Sequence, residues 1–137
     1  MRKPETTFRL SVEKYLPTSL YRMKNSNPYT TGVADSWYSG TKTDLWVEWK
    51  FQILPKRPST LILAKPSPLQ CVWLQARCHE GRNVAVILGC PDGGVVYQAL
   101  SWAQALTCEQ FRMRIKTRRQ LAAWIEGEVC GLQGSRC

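Results

Sequence analysis

Asp35, Glu48 and Lys50 are the residues of this chain whose types and spacing point to chemistry. They lie in "GVADSWYSGTKTDLWVEWKF", Gly32 to Phe51, a strand-like stretch rich in tryptophan. Strand side chains alternate between faces. In "DLWVEWKF", Leu45, Val47, Trp49 and Phe51 therefore share one face, and Asp44, Trp46, Glu48 and Lys50 share the other. The wholly apolar set specifies the register, because it must face the core. Glu48 and Lys50 then stand about 6–7 Å apart along the strand. With "SGTK" as the turn between two strands, Asp35 falls opposite Trp46 and diagonal to Glu48, about 7–8 Å away by backbone. Two carboxylates at that separation can share a cation. Mg²⁺ takes one or two carboxylates and fills its octahedron with water and phosphate oxygens. A neighbouring lysine can position or deprotonate a water, or neutralise charge on a phosphate in flight. The same pattern also fits an amphipathic hairpin with a solvated Glu–Lys pair.

Those residues need elements to hold them. "ETTFRLSVEKYL" spaces Phe8, Val12, Tyr15 and Leu16 along one face of a helix ended by Pro17. "KNSNPYTTG" reads as a loop. Four prolines interrupt residues 54–68 around the short apolar piece "TLILA". "SPLQCVWLQARCHEG" is a helix with Ser67 as N-cap, Pro68 at its first position and Gly81 at its end. "NVAVILG" is a buried strand, "CPDGG" a turn, and "VVYQAL" the strand paired with it. A basic helix over about 107–129 follows, with Thr107 and Gln110 as its capping box. The order helix, hairpin, helix, strand pair, helix predicts an α/β fold, a mixed sheet with helices packed on it.

Composition narrows the class. A chain of 137 residues fits one small domain. Nineteen Lys and Arg against ten Asp and Glu leave a net charge of +9, which favours a polyanionic partner. The six cysteines contain no CxxC pair and the only histidine is His79, so a structural zinc is not expected. "MRKPETTFRL" lacks the apolar core of a signal peptide. The cysteines read as reduced thiols of a cytoplasmic protein, and no apolar run approaches the length of a membrane span.

"GVAD", a spacer of twelve residues and "EWK" together resemble the PD-(D/E)xK nuclease signature. The likeness is to its small virus-type, replication- and repair-associated branch and to the Holliday-junction-resolvase relatives. In that branch a glutamate-bearing helix precedes the aspartate. A helix opening on Pro-Leu-Gln or similar, with Trp soon after, follows the Glu-x-Lys strand, and then comes a Gly and Val-rich strand. Glu13, "SPLQCVWL" and "GRNVAVILG" occur here in that order, and the likeness runs from about residue 8 to about residue 100. The chain departs from the pattern at Ala34, where the family has proline, and in the proline-rich insertion at 54–68.

The resemblance implies a restriction-endonuclease-like sheet flanked by helices and a Mg²⁺ site that also accepts Mn²⁺. Asp35, Glu48 and the backbone carbonyl of Trp49 would be ligands. Lys50 would act on the attacking water or the transition state, and Glu13 would be an auxiliary acid. Glu13 also reads as a solvated partner of Arg9 at i−4. Gln70 would touch the lysine or a DNA phosphate, and reads equally as the capping-box partner of Ser67.

The run "RMRIKTRR" holds Arg112, Arg114, Lys116, Arg118 and Arg119, which can track phosphates or simply form a solvated helix face. "NSNPYTTG" would line the DNA channel. Tyr29 or Trp37 would stack on an exposed base, and Trp37 also reads as a core residue. The expected activity is a metal-dependent DNA endonuclease, structure-selective or single-strand-preferring, with a Holliday junction resolvase as its sharper form. A resolvase needs two active sites and so a homodimer. The small size fits a phage or mobile-element protein. The alternative is a basic DNA-binding protein that keeps the fold without the catalysis.

Overall fold

The computed structural model describes residues 2–25 and 32–131. Helix α1 is Pro4–Glu13, and it starts at Pro4 because proline is tolerated in a first turn, where its missing N–H has no partner to lose. Strands β1 (Tyr21–Lys24), β2 (Ser36–Ser39) and β3 (Asp44–Phe51) follow. After the short strand β4 (Leu61–Ile62) come helix α2 (Pro68–His79) and strands β5 (Val84–Cys90) and β6 (Gly93–Gln98). Strand β7 (Leu106–Thr107), helix α3 (Cys108–Arg114) and helix α4 (Arg118–Cys130) complete the chain.

Five strands form one mixed sheet in the order β1-β2-β3-β5-β6. The β3–β5 pair is parallel, and every other pair is antiparallel. Parallel neighbours require a crossover, and α2 lies in the connection between them. β4 and β7 pair separately. The expected mixed sheet with helices packed on it is therefore present.

The sheet is covered on both faces, which explains why β5 is buried at all seven positions. On one face Tyr38, Leu45, Val47 and Trp49 pack with Phe8 and Val12 of α1 and with Leu121 and Ile125 of α4. On the other, Val86 and Leu88 pack with Ile62, Leu74 of α2 and Phe111 of α3. The Phe8 ring meets Trp49 edge-on at 6.0 Å. Gly89 makes room for it: a Cβ there would come within 2.5 Å of the Phe8 ring.

Several elements differ from the sequence expectation. α1 stops at Glu13, so Tyr15 is 37% exposed rather than part of the helix face, while Leu16 is still buried. β1 gives no local signal, because its short stretch "YRMK" shows no alternating burial. The turn between β2 and β3 is Gly40–Thr43 instead of "SGTK". Its N–H groups at Lys42 and Thr43 both bind the Val129 carbonyl of α4, at 2.8 and 3.1 Å. A partner so distant in sequence cannot be read from the turn itself. The basic segment at 107–129 is two helices, not one. Thr117 and Gln120 form a second capping box, and Lys116 between the helices exchanges both backbone hydrogen bonds with Gly94 of β6.

Among the described residues no helix is long and apolar enough to cross a membrane. Cys71, Cys78, Cys90 and Cys108 are free thiols.

Candidate functional site

The shifted turn changes the register of the β2–β3 pair by two residues. Trp37 pairs with Trp46 and Ser36 with Val47, which sets Asp35 directly across from Glu48 instead of on its diagonal. A shift of two keeps every side chain on its face, so the carboxylates stay together and come closer. Asp35 is held from several sides. Its Oδ2 accepts the Trp49 N–H at 3.2 Å, and its backbone carbonyl accepts the Asn25 N–H at 2.7 Å. Gly32, at φ +85, begins the approach to β2 and lies so close to α2 that a Cβ would sit 2.6 Å from the Leu69 carbonyl oxygen. Only glycine permits that conformation and contact together, and it brings "GVAD" beside the first turn of α2.

Glu48 sits on the central strand and is 2% exposed. Its Oε2 accepts the Gln70 amide at 2.9 Å and lies 3.5 Å from the Lys50 ammonium. Its Oε1 is buried with no donor among the described residues. Burial first, and then the charge of Asp35, push the Glu48 carboxyl up to about 8, with Lys50 pulling the other way. A buried carboxylate missing a donor and facing a second carboxylate is costly unless a proton or a cation joins them.

Gln70 combines the two roles open to it. Its Oε1 accepts the Ser67 N–H at 2.8 Å, closing the capping box of α2, and its Nε2 reaches Glu48. It therefore contacts the acid rather than the lysine. Glu13 is not brought to this group. Its Oε1 takes Arg9 at 2.8 Å and its Oε2 takes the Tyr38 hydroxyl at 2.6 Å, on the α1 side of the sheet. Burial and the charge of Glu13 hold Tyr38 well above the usual phenol range, so it stays a donor.

The acid that α1 does bring near Asp35 is Glu5. It lines a groove with Arg2, Lys3, Arg9, Lys24, Asp35 and Trp49. Eight residues separate Glu5 from Glu13, about 12 Å along a helix axis, so it is the first turn of α1 that shares a groove with Asp35.

The expected phosphate-tracking residues are divided between two helices. Arg112 and Arg114 are exposed on α3, with Asp92 at 3.8 Å from Arg112. Lys116 lies in the break between helices. Arg118 donates to the Ser11 hydroxyl at 2.9 Å and the Pro91 carbonyl at 3.1 Å, and lies over the Phe8 ring. Arg119 lies over Tyr15. Those two arginines tie α4 to α1 and its neighbours. Arg2, Lys3, Arg9 and Lys24 instead line the groove that holds Asp35. Tyr29 lies outside the described residues, and Trp37 is half-exposed rather than a core residue.

No family model matches the chain, and no curated protein matches it. Among solved structures the chain is similar to that of Archaeoglobus fulgidus Hjc, a Holliday junction resolvase from an archaeal hyperthermophile. The TM-score is 0.49 and the identity 14%, over 86% of this chain and 99% of that one. No activity passes to this chain from a likeness of that size.

Proposed function

We propose that this protein is a metal-dependent DNA endonuclease of the restriction-endonuclease-like fold, structure-selective or single-strand-preferring, with Asp35, Glu48 and Lys50 at its active site. The observation that carries this is Glu48: a carboxylate 2% exposed, one oxygen without a donor, placed across a strand pair from Asp35. That donor set fits Mg²⁺ or Mn²⁺. An ion of this kind takes one or two carboxylates and keeps its waters. Asp35 and Glu48 would hold it, with the Trp49 carbonyl. When bound, the ion supplies charge for the phosphate and an acidified water.

The chain's own residues do the rest. Lys50, 3.5 Å from Glu48 and partly exposed, holds the attacking water and offsets charge on the phosphate. Gln70 fixes the Glu48 carboxylate by its Oε2, so that orientation is set before substrate arrives. Arg2, Lys3 and Lys24 are exposed cations beside Asp35 and bind the flanking phosphates. Resolution of a four-way junction, the sharper form of this activity, would need a symmetric dimer with two such sites.

The test is a cleavage panel of labelled single strands, duplexes, flaps and four-way junctions with Mg²⁺, Mn²⁺ or Ca²⁺, run on wild type and Glu48→Gln. Cleavage with Mg²⁺ or Mn²⁺ that disappears in Glu48→Gln supports the proposal. Binding without cleavage of any substrate would leave a basic DNA-binding protein in its place.

A further inference from the structure

One feature of the sheet is not used by the hydrolytic site. Four aromatic rings form a continuous row across it. Tyr21 of β1 meets Trp37 of β2 edge-on, with centroids 5.3 Å apart; Trp37 meets Trp46 of β3 at 6.2 Å; Trp46 meets Trp73 of α2 at 5.3 Å. Arg77 lies over the Trp73 ring. The row is on the face of Glu48, because Trp46 precedes Glu48 by two residues on β3 and Trp37 follows Asp35 by two on β2. Adjacent same-face positions on a strand are about 6–7 Å apart, so Trp37 and Trp46, the middle of the row, stand one same-face step from the two carboxylates.

These rings are not sealed in the core. Tyr21 is 59% exposed, Met23 beside Trp37 is 45% exposed, and Trp37, Trp46 and Trp73 are each half-buried. Arginines stand along it. Arg77 lies over Trp73 at one end, and Arg82 lines a pocket with Trp46, Asp44 and Asn83.

We propose that this row is a stacking track for unpaired bases of the DNA strand whose phosphate lies at Asp35 and Glu48, so that the enzyme requires unpaired nucleotides next to the cleaved bond. The inference rests on the nuclease reading for its substrate. Ring faces argue for unpaired bases. In a duplex each base is covered by its neighbours above and below, and only an unpaired base can turn its face onto a protein ring. Because the rings are T-shaped or tilted to each other, they do not stack among themselves. The positive charge of Arg77 and Arg82 beside Trp73 and Trp46 complements the phosphates of the strand that carries those bases.

The test is binding without hydrolysis, in Ca²⁺ or without metal, of an oligo(dT) strand and of a duplex of equal length. The proposal expects oligo(dT) to quench tryptophan emission. It expects Tyr21→Ala and Trp37→Leu each to weaken oligo(dT) binding by roughly tenfold, with duplex binding changed less than twofold and Trp37→Phe close to wild type. Should Trp37→Leu fail to fold, the exposed Tyr21→Ala and the quenching of wild type decide the matter. Equal weakening for strand and duplex, or no quenching, overturns it. So does a concentration-dependent dimer that either variant dissolves, since a second copy would then cover the row. Quenching with no cleavage on any substrate would sink the nuclease reading and leave a base-binding track. Cleavage that is indifferent to unpaired bases would sink the track alone.

Discussion

Gln70 links the first turn of α2 to Glu48 on the central strand, its amide nitrogen 2.9 Å from the carboxylate and its amide oxygen 2.8 Å from the Ser67 nitrogen. A single side chain thus ends a helix and orients an acid, and the two duties can be separated. Gln70→Ala should cost roughly 1 kcal/mol from the cap and lower the cleavage rate as well. Ser67→Ala should cost about the same with cleavage retained. Denaturant melts and single-turnover rates on both variants check this; equal rate losses would show that only the cap matters.

Stability of the metal-free protein should fall as pH rises. Glu48 has its folded pKa raised from 4.5 to about 8, so the folded state holds a proton that the unfolded state has released. The stabilisation is complete below about pH 4.5 and is lost as pH climbs through 8. Across that window the loss is on the order of 5 kcal/mol. Melting temperatures of apo protein between pH 5 and 8.5 should trace it. Glu48→Gln should flatten the curve, and an equally steep curve in that variant would place the titration elsewhere.

Asp35→Asn removes the charge that repels Glu48. The metal-free protein should be as stable as wild type or slightly more so at pH 8, and cleavage should be lost. Mn²⁺ at a hundredfold excess over its dissociation constant should stabilise wild type by about 2.7 kcal/mol and leave Asp35→Asn unmoved. The same rise in both proteins would mean that no cation sits between these acids.

Lys50→Ala should keep that Mn²⁺-dependent rise and lose cleavage, because the ammonium acts on water and phosphate. Calorimetry that finds Mn²⁺ binding gone with the activity would reassign Lys50 to the ion's own surroundings.

Among the basic residues, Lys3 and Lys24 are expected to meet phosphates and Arg118 to hold the fold. Lys3→Ala and Lys24→Ala should each reduce the salt slope of DNA binding by roughly one unit. Arg118→Ala should leave that slope alone and lower stability by about 1–3 kcal/mol, since its hydrogen bonds to Ser11 and Pro91 and its packing on Phe8 disappear. Titrations at several salt concentrations separate the two groups.

What could be read from the sequence followed the range of the interaction. The alternation of "DLWVEWKF" specified which face of β3 is apolar, the run "NVAVILG" specified burial, and Ser67–Pro68 specified where α2 begins, because each signal is complete within a few residues. The β2–β3 register was missed because the turn is set by the Val129 carbonyl on α4. The helix break was legible in principle: "TRRQ" repeats the Thr-x-x-Gln of "TCEQ", and both are capping boxes. For the site, Asp35, Glu48, Lys50 and Gln70 were found together, since three lie on one hairpin. That Glu5 rather than Glu13 lines the groove of Asp35 depends on the direction in which α1 crosses the sheet, which no local pattern contains.

The pairing of Lys116 with Gly94 has a consequence for association between molecules. β6 is an outer strand of the sheet, and an outer strand with free N–H and C=O groups is a template for another chain. Lys116 occupies both groups of Gly94, at 2.9 and 2.8 Å, midway between two helices that hold it in place. The opposite margin, β1, is only four residues long and carries Arg22 and Lys24. Interrupting the C-terminal helix therefore blunts one margin of the sheet as length and charge blunt the other, and so guards a chain with a long, wholly buried β5 against edge-to-edge aggregation.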